Sequence, residues 1–170
     1  MSFLFDRQAL VLIAVMALFA AASATWAQTL ESQFSYQIVE YNAEGQEQLI
    51  TRDSVKPGEL IHYQLSHANM TQDAMAGLVI AAPVPQGVTI TIDGQSSSVP
   101  ATFEVQAELD PTQDGLEWST LPAMRKVIDG RGVVQDEPLP ASAIVAVRWR
   151  YANTLEPGET AFNSYRVRVN

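Results

Sequence analysis

The sequence predicts an all-β domain, an antiparallel β-sandwich of about seven to eight strands, exported behind a cleaved N-terminal signal peptide. Three observations carry this reading. A short apolar run near the start ends in small residues, period-two alternation recurs between turn residues through the rest of the chain, and no helix-period pattern of useful length follows the first run.

The N-terminal part reads as a signal. Asp6 and Arg7 form a short charged start, the run from Ala9 to Ala22 is unbroken and apolar, and Ala24-Thr25-Trp26-Ala27-Gln28 follows. The run is shorter than the roughly 20 residues a membrane-spanning helix needs. Small residues at Thr25 and Ala27 suit cleavage before Gln28, with cleavage after Ala24 as the alternative. The expected organisation is therefore a signal peptide over 1–27 and a single domain over 28–170. The chain contains no cysteine, which excludes a lipid-anchor site and any disulfide. No second apolar run of that length appears, so no membrane span is expected after cleavage and the mature protein should be soluble in the periplasm or outside the cell.

Ten Lys and Arg face nineteen Asp and Glu, a net charge of −9. Phosphate backbones require a dominant basic surface, so this balance argues against nucleic acid as a partner.

The strands follow in order. Phe34, Tyr36 and Ile38 share one face of the first. A turn at Val55-Lys56-Pro57-Gly58-Glu59 leads to Ile61, Tyr63 and Leu65 on an inner face, with His62, Gln64 and Ser66 outside. Leu78–Ala82 is a short apolar strand broken by Pro83-Val84-Pro85-Gln86-Gly87. Val88, Ile90 and Ile92 line one face of the next, and Phe103 and Val105 mark another. Asp110–Leu121 reads as loop, Lys126–Val134 as a small hairpin turning at Asp129-Gly130, and Asp136–Ala141 as a connector. The two clearest strands close the chain. Val145, Val147, Trp149 and Tyr151 alternate with Arg148 and Arg150, and Tyr165, Val167 and Val169 alternate with Arg166 and Arg168 after a second turn at Pro157-Gly158. Short strands with one apolar face each give two sheets packed face to face, an immunoglobulin-like sandwich, with an up-and-down barrel as the runner-up.

Several segments also resemble a family. Ser54–Tyr63, with its Pro-Gly-acidic turn leading to an apolar-x-Tyr strand, is similar to the start of the bacterial conserved-repeat domain known as domain of unknown function 11. Asn69 stands where that family carries an Asn. Ala82–Val88 resembles its P-x-P turn, and Val147-Arg148-Trp149 followed by Leu155-Glu156-Pro157-Gly158-Glu159 resembles its closing hairpin. The resemblance implies an immunoglobulin-like domain on exported or surface proteins without a catalytic role. This chain is similar to the short single-domain members rather than to the tandem arrays.

No catalytic, cofactor-binding or metal-ligating set emerges from the residues. The two histidines, His62 and His67, are separated by an odd number and fall on opposite faces of one strand, whereas a transition-metal site wants three or four convergent ligands. Ser96-Ser97-Ser98 reads as a turn with no base and orienter beside it. The acids of Asp110–Gly115 lack the spacing of a Ca²⁺-binding EF-hand loop and read as solvated. Asn69-Met70-Thr71 matches a glycosylation pattern that is frequent by chance. Trp149 reads as core.

The arginines stand apart. Residues 144–170 carry four basic and two acidic side chains, whereas 28–143 carry five and sixteen. Arg148, Arg150, Arg166 and Arg168 are expected on the faces opposite the apolar ones. They form either an ordinary solvated face interleaved with acids such as Glu104, or a docking patch for an acidic protein or polysaccharide, or for a second copy. The expected function is that of a non-enzymatic, exported cell-envelope module that binds or builds structure. The alternative is a small assembly or chaperone-like factor acting by β-edge pairing, which calls for a long unpaired edge without Pro or inward charge. A calcium-dependent or carbohydrate-active protein is a third class.

Overall fold

The alternation becomes extended chain over nearly all the predicted segments. In the computed structural model, which describes residues 30–170, eleven strands form three antiparallel sheets and no α-helix occurs among the described residues. The predicted signal segment and its cleavage point before Gln28 lie outside the described residues. The strands are β1 (Leu30–Tyr41), β2 (Glu47–Ile50), β3 (Leu60–Asn69), β4 (Val79–Pro83), β5 (Val88–Ser97), β6 (Ala101–Ala107), β7 (Glu117–Thr120), β8 (Met124–Ile128), β9 (Val134–Pro138), β10 (Ala146–Tyr151) and β11 (Thr160–Val169). A five-stranded sheet has the order β2-β1-β3-β11-β5, a four-stranded sheet the order β4-β10-β6-β7, and β8 and β9 form a separate ribbon.

The count exceeds the seven or eight expected because β2 and β7 are four residues each, too short to show alternation. Asp110–Leu121 therefore holds a strand, and the segment read as a connector supplies the second half of β9. The hairpin at Lys126–Val134 forms, with Ile128 opposite Val134.

The two large sheets share one core. Ile61, Leu65, Ile90, Tyr165 and Val167 from the five-stranded sheet pack with Ile80, Val105, Val147, Trp149 and Tyr151 from the four-stranded one. The architecture is a sandwich-like stack of antiparallel sheets. Trp149 sits at its centre, its ring centroid 5.3 Å from Phe103 and 6.1 Å from Tyr165.

The two Pro-Gly turns are built alike. In each, Pro presets the first central position and Gly supplies a positive φ, 87° at Gly58 and 75° at Gly158. The following Glu closes the turn, Glu59 N–H to Lys56 O at 3.1 Å and Glu159 N–H to Glu156 O at 3.0 Å. The same Glu carboxylate accepts from the backbone N–H of Lys56 and of Glu156. Each turn also holds the far end of the other's strand: Gly58 N–H donates to Val169 O and Gly158 N–H to Asn69 O. The antiparallel neighbours β3 and β11 are thus fixed at both ends.

Candidate functional site

The last two strands lie in different sheets. The chain leaves β10 in the four-stranded sheet and enters β11 in the five-stranded sheet, so the four arginines do not share a face. Arg148 and Arg150 lie on the outer face of one sheet, and Arg166 and Arg168 on the outer face of the other.

Carboxylates hold three of them. Glu104 lies directly across from Arg148 on β6 and takes its guanidinium at 2.7 Å, with Arg150 3.8 Å away. The hydrogen bond from Arg148 holds the Glu104 carboxyl below the usual carboxylate range against the opposing effect of burial. The Arg148 guanidinium also lies 4.3 Å over the Trp118 ring from β7. On the other sheet, Arg166 grips Glu47 with two hydrogen bonds, which hold that carboxyl low. This bond fastens the β1–β2 hairpin to β11, and Arg168 donates to Gly58 O. The interleaving of acids expected for a solvated face is present, with Glu104 in the place anticipated.

The histidines separate as their spacing dictates. His62 is on the outer face beside Arg166, and burial first, then that cation, lowers its pKa. His67 faces inward and is buried, with its Nδ1 2.8 Å from Ser32 Oγ on β1. No local pattern signals this Ser–His pair, because residues 35 apart meet only through the β1–β3 register. The His67 Nε2 has no hydrogen-bond partner, so no carboxylate orients the ring as nucleophile activation requires. Burial alone lowers its pKa.

The acidic loop folds around one of its own members. Asp110 accepts from Thr112 N–H and Oγ1, from Gln113, and from Lys126 Nζ at 2.7 Å. These bonds, Lys126 first, hold Asp110 well below its ordinary value of 3.8, while Lys126 is raised. A carboxyl with a depressed folded-state pKa contributes stability that is complete above the unfolded value and fades as pH falls towards the folded one. Lys126→Met is therefore expected to flatten the loss of stability on acidification below about pH 4, read from urea melts from pH 5 to 2. An unchanged slope would show the pair to be inert. Among the described residues no group of three or more His, Asp or Glu is arranged to hold a metal ion.

Asn69 is fully buried, and its amide donates to Asp73 O and Leu155 O. It is consequently closed to glycosylation in the folded domain.

The feature missed in sequence is a bare aromatic row. Phe34 and Tyr36 point to the same side of the sheet as Ile38, as alternation requires, yet Phe34 is 58% and Tyr36 40% exposed. The four-stranded sheet does not reach beneath them. A continuous series of rings runs outward from the core: Trp149, Tyr165, Tyr63 at 5.1 Å from Tyr165, then Phe34 at 5.2 Å and Tyr36 at 6.4 Å from Tyr63. Among the described residues no helix is long and apolar enough to cross a membrane.

Comparison with known proteins finds no family model that matches this chain and no curated protein similar to it.

Proposed function

We propose that the chain is an exported, non-enzymatic binding module of the cell envelope, an immunoglobulin-like sandwich of the domain of unknown function 11 type. The observation that carries the binding role is the uncovered aromatic row on β1, since large apolar side chains left bare together on one sheet face mark interaction sites. The family likeness draws support from what single matched positions do here, although the segment matched to the family's closing hairpin is a crossover between the two sheets. Gly58 and Gly158 hold turns, Trp149 is core, and Asn69 ties the end of β3 to the segment before β11. An acidic partner, or a second copy, held by arginines has less support, because Arg148, Arg150 and Arg166 already face carboxylates.

Two measurements test this reading. Fractionation and N-terminal sequencing of the full chain expressed in bacteria should find it exported and starting at Gln28; an intact Met1 start in the cytoplasm would remove the envelope role. A photo-crosslinking amino acid in place of Tyr36 should give adducts in the envelope that the same substitution at Arg168 does not. Equal labelling at both positions would remove the binding role.

A further inference from the structure

The aromatic row borders an open sheet edge. β4 ends the four-stranded sheet and pairs only with β10. Leu78 O accepts from Tyr151 N–H, and Val84 N–H donates to Val145 O. In an antiparallel ladder, residues alternate between facing the partner strand and facing away. Even-numbered β4 residues therefore bond to β10, and Val79, Ala81 and Pro83 present their backbone groups to the free side. The Tyr165 hydroxyl donates to Pro83 O at 2.9 Å. Among the described residues the N–H and C=O of Val79 and Ala81 have no strand beside them.

Only three residues, Ser98–Pro100, carry the chain from β5 to β6 in the other sheet, and Trp149 of β10 packs on Tyr165 of β11. With β6 beneath β5 and β10 beneath β11, the strand order places β4 beneath β3, where the Tyr165 side chain reaches it. β1 is one strand further out. Its inner face, carrying Phe34 and Tyr36, overhangs the space beside the β4 edge. Strands lie about 4.8 Å apart within a sheet and stacked sheets about 10 Å apart, so a strand added beside β4 would lie beneath β1.

The other three edges of the two large sheets are protected. β2 and β7 are four residues long, and the register of β5 slips opposite Ser164–Arg166, the type of irregularity that spoils an edge for pairing. β4, Val-Ile-Ala-Ala-Pro, carries no charge and no bulge, and although it is short and closed at one end by Pro83, Val79–Ala81 stays open to pairing.

We infer that the free edge of β4 and the bare aromatic underside of β1 together accept a single extended strand from a partner protein. The strand's backbone bonds Val79 and Ala81, and its alternate apolar side chains cover Phe34, Tyr36 and Tyr63. The inference deepens the binding-module reading, on which it rests, by naming the kind of partner. Free backbone donors and acceptors in a row ask for peptide rather than lipid or sugar. A second copy fits less well, since joining two copies through β4 about a twofold normal to the sheet would set the β1–β2 overhang of each against the five-stranded sheet of the other. A lone strand beneath the overhang meets no such obstacle. Basic flanks on that strand suit a chain of net charge −9.

The probe is a phage-displayed library of random twelve-residue peptides, selected on the purified protein. Enriched peptides should alternate apolar and polar residues, and their synthetic forms should slow amide exchange at Val79 and Ala81 at least tenfold. Methylating alternate backbone nitrogens of the peptide should abolish binding. Phe34→Ser with Tyr36→Ser should weaken binding at least tenfold with the melting transition retained. Absence of enrichment overturns the inference, as does binding that survives the double variant or leaves Val79 and Ala81 exchanging as before. Crosslinking at Tyr36 without protection at Val79 and Ala81 would leave the binding module standing and remove the added strand.

Discussion

Trp149→Ala is expected to lower the stability of the domain by about 3–5 kcal/mol, the scale for deleting a large buried aromatic. The ring is 1% exposed and touches aromatic neighbours from both sheets, Phe103 within its own and Tyr165 across the interface. Its removal leaves a cavity at the layer that joins them, and no disulfide shares the load. For a domain whose whole margin is roughly 5–15 kcal/mol, that loss is a large fraction. Trp118 supplies the comparison. It lies on the outer face of the same sheet over Arg148, and Trp118→Ala should cost only about 0.5–1 kcal/mol, the scale of an exposed cation–π contact. Denaturant melts of both variants check the pair. Equal losses would mean that the face assignment of β10 carries no energetic weight.

The contrast between the two tryptophans also shows what was legible in the sequence. Which side chains of a strand point in and which point out follows from period two alone, so Val147, Trp149 and Tyr151 inward and Arg148 and Arg150 outward could be read directly. The same reasoning put Phe34 and Tyr36 on the face of Ile38. It could not tell that the opposing sheet stops short of them, because sheet width depends on pairings between residues far apart in sequence. Allocation to sheets was hidden for the same reason. A Pro-Gly turn between two alternating strands reads as a hairpin, yet Pro157-Gly158 lies in a crossover, and its hydrogen bond goes to Asn69 of β3. The four arginines, adjacent in that reading, therefore belong to opposite outer faces. Ser32 and His67 meet only through the β1–β3 register, which no local pattern announces. The short strands β2 and β7 hold too few residues to establish a period.

Asn69→Ala is expected to cost about 2–4 kcal/mol, well beyond the scale of a surface substitution and close to that of a core truncation. The side chain is fully buried and makes four hydrogen bonds. Its Nδ2 donates to Asp73 O and Leu155 O, both at 2.8 Å, and its Oδ1 accepts from Thr71 N–H at 3.0 Å and Thr71 Oγ1 at 2.6 Å. Its own backbone is bonded to Glu159 O and Gly158 N–H, so one residue gathers the end of β3, the loop after it and the turn before β11. Alanine removes one donor from each of two carbonyls, which retain Met75 N–H and Thr71 Oγ1, and deprives Thr71 N–H of its acceptor, so the loss is that of four hydrogen bonds gathered at one buried side chain. Asn69→Asp separates this account from simple packing. It keeps the shape and the acceptor facing Thr71 but loses both donors, and at neutral pH it turns a carboxylate towards two carbonyl oxygens. It should do no better than alanine. Urea melts of the two variants at pH 7 decide it. If Asn69→Asp stays within about 0.5 kcal/mol of the unaltered protein, the range of ordinary surface changes, the carbonyls do not depend on Asn69 and the residue is a filler of space.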